Sequence, residues 1–501
     1  MSTLEAVAIH HLSDGKQPAA DGYVRLDVDE AIWRSLAQGC RDGLHALNAL
    51  WYDEGQMRMA LLAPEQRVRA IVSVATANGV YPSVGQYHAP AIRLERAARD
   101  LHGVIPFGLP DPRPWLDHGV WPAQPSAVTI PYRFLTSEGE GLHQIAVGPV
   151  HAGIIEPGHF RFTANGEAVV RLEERLGYVH KGIEALCKGA GIEQAARIVA
   201  RISGDSTVAY GFAFARAVEA AWSWQPPARA VLLRGVMAEI ERLSHHIGDV
   251  GAICNDASFV TIQARCTLLR EDILRTANRC FGHRMMMDCI VPGGVIIDLS
   301  TDGLAAIREL LIRLEVGFAG VIRAYDRSPT LQDRTVTTGI VTKALAAQFA
   351  AGGYVGRASG RAFDARAAFI YPPYGDVAFE VPARSSGDVD ARVWVRIEEI
   401  AQSTAIIRQL LDRLANEPQG PLRVAHGAAQ EGEGAALIEA FRGDLFVCVR
   451  LDAGDKVARL HARDASWFQW PLLEAAIEGN IVADFPLCNK SFNCSYSGHD
   501  M

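Results

Sequence analysis

Closely spaced prolines divide this chain into two parts that differ in their patterns of apolar residues. They lie at Pro110, Pro112, Pro114, Pro122, Pro125 and Pro131. Proline cannot continue a helix, because its ring fixes φ and removes the backbone N–H donor. The sequence therefore predicts a proline-rich linker over residues 121–140, with one domain before it and another after it.

The part before the linker mixes short apolar runs with an amphipathic stretch. Ala70-Ile71-Val72-Ser73-Val74 is typical of a strand, whereas residues 91–101 have the apolar spacing of a helix. A small α/β domain is predicted for residues 1–120.

The part after the linker, residues 141–501, is predicted to be mainly a helical bundle. Apolar positions recur at spacings of three and four over 192–200, 208–222, 228–250, 258–281, 302–325 and 389–414. Strand-like runs return between residues 423 and 463, which predicts a small β insertion. The fold class of the whole chain is therefore α+β.

Composition limits the classes of protein to which the chain can belong. Its 501 residues are 49% hydrophobic and 21% charged, which allows a large core and two or three domains. No apolar run reaches the roughly 18 residues of a membrane span, and the first residues lack the pattern of a signal peptide. The net charge of −8 argues against a nucleic-acid partner. We expect a cytoplasmic protein.

The nine cysteines form no C-x-x-C pair in the sequence. Thiolates at that spacing hold iron-sulfur clusters and soft transition metals. Isolated cysteines are instead typical of buried apolar positions in a reducing compartment. The sequence predicts no cofactor in this chain, so that any iron-sulfur cluster would belong to a partner subunit.

Three motifs follow one another in a fixed order: Gly148-Pro149-Val150-His151, residues 177–184 and Pro292-Gly293-Gly294-Val295. With them the chain resembles the large subunit of membrane-bound, energy-converting nickel-iron hydrogenases of the formate hydrogenlyase and hydrogenase-4 type. It equally resembles the homologous quinone-site subunit of respiratory complex I.

A second resemblance lies ahead of those motifs. Residues 81–83, 93–103 and 110–114 resemble the end of a neighbouring complex I subunit. The resemblance implies two subunits of an NADH-quinone oxidoreductase fused in one chain. Residues 1–120 would correspond to the neighbouring subunit, and residues 141–501 to the quinone-site subunit and the hydrogenase large subunit.

That resemblance also implies partners and a location. Such subunits dock an iron-sulfur small subunit that resembles the one in complex I, together with a ferredoxin-like subunit and antiporter-like membrane subunits. The chain is therefore expected to lie peripherally on the inner face of the cell membrane and to be held there by its partners.

The nickel ligands of these hydrogenases are missing from the chain. The family holds nickel and iron with two C-x-x-C pairs, and the resemblance places Ser203 and Ser206 at the first pair and Ser495 and Gly498 at the second. A hydroxyl is a harder and less acidic ligand than a thiolate. We therefore expect no metal in this chain and interpret the four positions as lost ligand positions.

A quinone site is possible only in altered form. In complex I a histidine and a tyrosine hold the quinone head group, and the resemblance places Ile155 and Gly204 at their positions. Neither side chain can donate a hydrogen bond to a quinone oxygen.

Four polar residues remain as candidates for chemistry: His151, Glu156, Arg201 and Asp205. The resemblance implies that Glu156, if buried, holds and passes on a proton, and the alternative is a salt bridge that fixes its loop. Arg201 and Asp205 are expected to form an ion pair that fills the vacated metal site.

Two other polar groups have open interpretations. His180 and Glu184 share one face if residues 177–186 are helical, which suits either a metal or proton-relay role or an ordinary surface pair. A dense polar patch on a predicted helix suits either chemistry or contact with a partner subunit. Its members are Glu239, Glu241, Arg242, His245 and His246.

Three functional hypotheses follow. The first is a subunit of a membrane-associated redox complex that couples electron transfer in an iron-sulfur partner to ion translocation, without its own nickel-iron centre. The second is an oxidoreductase that acts on quinone or another carrier at a remodelled cavity between residues 148–151 and 203–206. The third is an atypical nickel-iron hydrogenase that uses Cys488 and Cys494. A coupling subunit should fill the old site with self-paired side chains, whereas an enzyme needs a pocket with convergent polar groups.

Overall fold

A computed structural model of the chain describes residue 4 and residues 20–121, 132–425 and 430–501. Residues 122–131 of the predicted linker lie outside these ranges. The rest of the chain has the α+β content that the sequence predicts. Among the described residues, no helix is both long and apolar enough to cross a lipid bilayer.

The N-terminal part is a four-stranded sheet with two helices and a small two-stranded ribbon. Its elements are β1 (Val24–Val28), α1 (Glu30–Arg41), β2 (Ala46–Asp53), β3 (Gln56–Ala63), β4 (Val68–Ala75), β5 (Val80–Pro82), α2 (Ile92–His102) and β6 (Ile105–Phe107). The strand order is β1-β4-β3-β2, in which β1 runs parallel to β4 and the other pairs are antiparallel. The strand and helix predicted in this part are both present.

A three-stranded antiparallel sheet opens the second part, and the sequence did not predict it. Its strands are β7 (Leu142–Val147), β8 (His159–Asn165) and β9 (Ala168–Arg175). Short helices follow as α3 (Ile183–Cys187) and α4 (Ile192–Val199). Since α3 begins only at Ile183, His180 lies before the helix, and the condition for His180 and Glu184 to share a helix face is not met.

Long helices then form the bundle, within a residue or two of the predicted starts. They are α5 (Thr207–Trp222), α6 (Ala228–Asp256), α7 (Val260–Phe281), α8 (Thr301–Asp326) and α13 (Val389–Asn416). Between them lie the smaller elements β10 (Ile290–Val291), β11 (Gly294–Val295), α9 (Pro329–Thr335), α10 (Lys343–Gln348), α11 (Gly353–Ala358) and α12 (Ala365–Ala368). Helix α6 packs against both α7 and α13.

The predicted β insertion is an antiparallel three-stranded sheet, and three helices follow it. These elements are β12 (Gly432–Ala440), β13 (Gly443–Leu451), β14 (Val457–Arg463), α14 (Ser466–Ile477), α15 (Phe485–Phe492) and α16 (Tyr496–Asp500). The sheet lies against α5, where β12 and the helix come unusually close. An ideal Cβ on Gly434 would lie 2.1 Å from the Ala217 carbonyl oxygen and 2.5 Å from the Ala221 nitrogen.

The two parts of the chain share one apolar core. Trp33 and Leu61 of the N-terminal part belong to the same buried cluster as Phe160, Trp470 and Phe492 of the second part. A second cluster fills the helical bundle. The N-terminal sheet is therefore packed into the rest of the molecule.

The close approach at Gly434 generates a stability prediction. Gly434→Ala should lower the free energy of unfolding by about 2–3 kcal/mol, because the new methyl group meets backbone that cannot move aside. Urea unfolding of the full chain measures the change.

The matched control is Gly320→Ala in α8, where nothing lies within 4 Å of an ideal Cβ. It should stabilise the chain by about 0.5–1 kcal/mol, since alanine loses less backbone entropy in a helix. Equal effects of the two substitutions would contradict the close packing of β12 on α5.

Candidate functional site

The four positions assigned to lost metal ligands lie together in the structure. The Ser203 and Ser495 hydroxyl oxygens are 2.9 Å apart. The Ser206 hydroxyl is 3.4 Å from the carboxylate of Asp205, which also accepts from Ser203. The Gly498 backbone N–H donates to the Ser495 hydroxyl at 2.8 Å. The fold thus brings two distant segments of the chain into one site.

Local structure explains why hydroxyl residues suit these positions. Ser495 is the N-cap of α16, and its side chain satisfies one of the free N–H groups at the start of that helix. Ser203 lies in the extended turn that leads into α5, where its hydroxyl donates to Asp205 at 2.7 Å. Both serines therefore have hydrogen-bonding roles within the protein itself.

An ion pair between Asp205 and Arg442 fills the centre of the site. The guanidinium of Arg442, in the turn between β12 and β13, donates to both carboxylate oxygens of Asp205, one of them at 2.8 Å. It also donates to the Ser206 hydroxyl at 3.2 Å and to the Asn493 carbonyl at 2.6 Å. Burial acts to raise the pKa of Asp205, but Arg442 outweighs it and holds that pKa far below its ordinary value.

A second carboxylate closes the site from the side of the β insertion. Asp464 follows β14 and accepts a hydrogen bond from the Tyr210 hydroxyl at 2.7 Å. An ideal Cβ on Gly498 would lie 2.8 Å from an Asp464 carboxylate oxygen. A side chain at position 498, including that of cysteine, would therefore displace Asp464.

Beneath the ion pair lie an acid and a base on α6. Glu241 accepts from the Val208 and Ala209 backbone N–H groups at 2.8 and 3.1 Å, and burial raises its pKa to about 8. His245 stacks on Phe441 at 4.4 Å, and burial lowers its pKa to about 4. Near neutral pH the imidazole is therefore uncharged and the carboxyl is largely protonated.

The predicted polar patch on α6 faces the interior. Glu239, Arg242 and His246 are buried. His246 lies 2.7 Å from the Glu399 carboxylate on α13, and Arg242 lies 3.9 Å from it, so these two side chains share a face as predicted. The interpretation of the patch as a surface for a partner subunit is wrong, because its charges are paired inside the chain.

The expected ion pair between Arg201 and Asp205 is also wrong. The Arg201 side chain is half-exposed, and its guanidinium donates to both carboxylate oxygens of Asp288, one of them at 2.7 Å. It also donates to the Arg197 carbonyl. Arg442 takes its place beside Asp205. Sequence reasoning missed Arg442 and Asp464, because a turn and a strand end far along the chain carry no spacing signal.

Glu156 and His151 lie at the outer edge of the site. Glu156 is exposed, so the expectation of a buried proton carrier fails, and its carboxylate accepts from the Ser497 backbone N–H at 3.1 Å. The His151 ring lies 6.2 Å from that of Tyr496, and burial lowers its pKa. The two residues thus contact the start of α16 and are separate from the Asp205–Arg442 pair.

The residues present do not fit a nickel-iron centre. Three serines and a glycine occupy the four positions where soft thiolates would be needed, and the Arg442 guanidinium lies beside them. Cys488 and Cys494 are buried, and burial raises the pKa of Cys488 to about 11 and that of Cys494 well above its ordinary value. Cys494 lies with its sulfur 3.9 Å from the Gln469 side-chain oxygen.

The positions assigned to the quinone ligands are equally unsuited to that role. Ile155 packs against the shared apolar core, and Gly204 is exposed with no atom within 4 Å of an ideal Cβ. Neither position offers a donor for a quinone oxygen.

Comparison with known proteins agrees with this architecture. The family described as "Respiratory-chain NADH dehydrogenase, 30 Kd subunit" matches residues 26–133, and the corresponding 49 Kd family matches residues 256–428 and 422–501. Formate hydrogenlyase subunit 5 of Escherichia coli (strain K12) is 31% identical over 440 residues, which cover 84% of this chain and 77% of that protein. The chain belongs to this 30/49 kDa subunit family.

Other members of the family have the same fused arrangement or the same fold. The NADH-quinone oxidoreductase C/D subunit of Phocaeicola vulgatus is 26% identical over 452 residues, or 83% of this chain and 86% of that protein. A chain of the membrane-bound sulfane sulfur reductase, an archaeal respiratory membrane complex, superposes with a TM-score of 0.68 at 25% identity. The superposition covers 73% of this chain and 100% of the reductase chain. The resemblance to both hydrogenase and complex I subunits is confirmed.

The ion pair at the centre of the site predicts an asymmetric effect of mutation. Asp205→Asn should destabilise the chain by about 3 kcal/mol, because Arg442 is only 4% exposed and would be left as a buried, unpaired charge. Arg442→Met should cost less, about 1–2 kcal/mol, since the Asp205 side chain is 34% exposed and water can solvate it. Urea unfolding at pH 7 measures both.

The control is Glu315→Gln, which breaks an exposed pair with Arg408 at 2.7 Å and should change stability by less than about 0.5 kcal/mol. In the wild type, the Asp205–Arg442 pair contributes fully to the free energy of unfolding at pH values above 3.8, the ordinary pKa of an aspartate. This contribution is lost as the pH falls through the lower pKa that Asp205 has in the folded chain. Equal losses in Asp205→Asn and Glu315→Gln would show that the pair does not hold the site together.

Proposed function

We propose that this chain is a coupling subunit of a membrane-associated redox complex of the hydrogenase and complex I type, and that it works without a nickel-iron centre of its own. The observation that carries the proposal is the Asp205–Arg442 pair, whose self-paired side chains contact Ser203 and Ser206, two of the positions assigned to lost metal ligands. A site occupied by the protein's own paired side chains suits a subunit that transmits a conformational change. It does not suit an enzyme that binds a substrate there.

The relatives support the membrane setting. Their names include a formate hydrogenlyase subunit and NADH-quinone oxidoreductase subunits, and the solved structure is that of a respiratory membrane complex. We further propose that this chain lies on the inner, cytoplasmic face of the cell membrane, with an iron-sulfur small subunit, a ferredoxin-like subunit and antiporter-like membrane subunits as partners. A quinone-reducing activity has less support, because Ile155 and Gly204 offer no donor to a quinone oxygen. An atypical hydrogenase activity has less support, because burial raises the pKa values of the Cys488 and Cys494 thiols and so disfavours thiolate ligands.

A surface beside the site suits the iron-sulfur partner. The loop between β7 and β8 carries Val150 and Ile154, whose side chains are 85% and 100% exposed. Exposed apolar groups of this kind are typical of protein interfaces. The same loop carries Glu156, which contacts the backbone of Ser497 within α16. A partner seated here would contact both the loop and the remodelled site.

The proposal predicts the metal content of the natively purified complex. Elemental mass spectrometry should find no stoichiometric nickel, because the site lacks thiolates, and iron only in the amount that a partner's clusters require. A nickel-iron hydrogenase purified in parallel shows whether the procedure retains metal. Near-stoichiometric nickel would overturn the proposal.

The docking surface generates a second test. Ile154→Asp should weaken retention of the iron-sulfur subunit at least tenfold, because it places a charge at the centre of an apolar contact. The matched control is Val316→Asp, at an exposed position on α8. Pull-down of the tagged chain, with iron measured in the eluate, reports the result. Loss of the partner in both variants, or in neither, would exclude this loop as the interface.

A further inference from the structure

Two arginines on different elements flank the short segment that follows α12. The guanidinium carbon of Arg69, on β4, lies 5.0 Å from the ring centre of Tyr23 and 5.3 Å from that of Phe369. The guanidinium carbon of Arg216, on α5, lies 4.8 Å from the ring centre of Tyr371. Because Phe369 and Tyr371 are two residues apart, both guanidinium groups lie beside the same segment.

The edges of both guanidinium groups are free. Within the part of the chain that the structure describes, neither Arg69 nor Arg216 donates a hydrogen bond or forms a salt bridge, and both residues are half-buried. The Nε atom of Arg216 is buried, whereas its two terminal nitrogens and the guanidinium nitrogens of Arg69 remain accessible to solvent. Each group uses its flat face to contact a ring, which leaves the accessible N–H groups along its edge available to another molecule.

The carboxylates near the two arginines are already occupied by other groups. Glu219 accepts from Arg234 at 2.5 and 3.0 Å. Asp21 pairs with Arg25 at 2.6 Å. The carboxylates near Tyr371 are paired in the same way: Asp364 with Arg366 at 2.7 Å, and Glu439 with Arg357 at 2.8 Å. None of these four groups contacts Arg69 or Arg216.

The region therefore has an excess of positive charge. Burial lowers the pKa of Arg216, and the charges of Arg234 and Arg69 also act to lower it, whereas Glu219 acts in the opposite direction. Tyr371 supplies no negative charge at neutral pH, because burial raises the pKa of its hydroxyl. A half-buried charge without a partner is costly, so an anion that paired with both guanidinium groups would gain affinity.

We propose that Arg69 and Arg216 form a binding site for a phosphate group. A phosphate monoester carries about 1.5 to 2 negative charges at pH 7 on three acceptor oxygens, whereas a carboxylate carries a single charge on two oxygens. Two guanidinium groups, with their charges and edge donors, match the phosphate better. Such a group is supplied either by a soluble phosphate compound or by a phospholipid headgroup. The site does not depend on the function of the Asp205–Arg442 pair.

Equilibrium dialysis of the full-length chain against radiolabelled inorganic phosphate tests the soluble source. We expect saturable binding at constant ionic strength. Unlabelled phosphate should displace the label at least tenfold more effectively than acetate does, because acetate has one charge and two oxygens. Acetate that competes equally well would overturn the proposal.

Vesicle flotation tests the lipid source. The chain is mixed with phosphatidylcholine vesicles that contain either phosphatidic acid, whose headgroup is a phosphate monoester, or the same amount of phosphatidylglycerol, whose headgroup is a diester with one charge. Flotation with phosphatidic acid alone, without binding of inorganic phosphate, would assign the group to a lipid. Binding of inorganic phosphate would assign it to a soluble compound. Absence of both would contradict the proposed site.

Three variants locate the binding. Arg69→Gln and Arg216→Gln should each weaken the observed interaction at least tenfold, since each removes one charge and its edge donors. The matched control is Arg275→Gln on α7, whose side chain is 78% exposed, and it should change nothing. Circular dichroism verifies folding of all three. Phosphate or phosphatidic acid binding that survives both substitutions in folded protein would exclude this site.

Discussion

Buried charges that must find partners hold the second part of the chain together. Glu399 on α13 accepts from Arg357 on α11 and lies against His246 on α6, each at 2.7 Å. Arg357 also donates to Glu439 on β12 at 2.8 Å. A buried charge without a partner costs several kcal/mol, so these elements can pack only in an arrangement that satisfies every one of them. The bundle and the β insertion are therefore locked to each other.

The same sheet carries that constraint into the candidate site. Glu439 lies in β12, and Arg442 lies in the turn that follows it, where it pairs with Asp205. Around this pair lie Ser203, Ser206, Ser495 and Gly498, the four positions that the resemblance assigns to lost metal ligands. Here a guanidinium and a carboxylate occupy that space, and Ser203 and Ser495 complete the hydrogen bonds. The fold of the family is thus present with an ion pair and serine hydroxyls at this site.

Periodicity predicted the long helices well, because a buried helix face imposes its spacing on the sequence whatever it packs against. The start of α13 at Val389, for example, follows an N-cap at Asp388, and buried apolar residues recur through the helix from there. Motif order placed the four lost ligand positions in one site, which the structure brings together. Pairing between charges was predicted poorly. Arg201 and Asp205 are close in sequence, yet each finds a partner on another segment.

The sequence alone determined the fold class, the family and the absence of any C-x-x-C pair, because each of these depends on residue types in a given order. Only the tertiary structure decided that Arg442 and Asp464 fill the site, that Glu156 is exposed and that the charged face of α6 lies inside. Which charged side chains pair with each other depends on their distance and burial in the folded chain, and neither can be predicted from the local sequence.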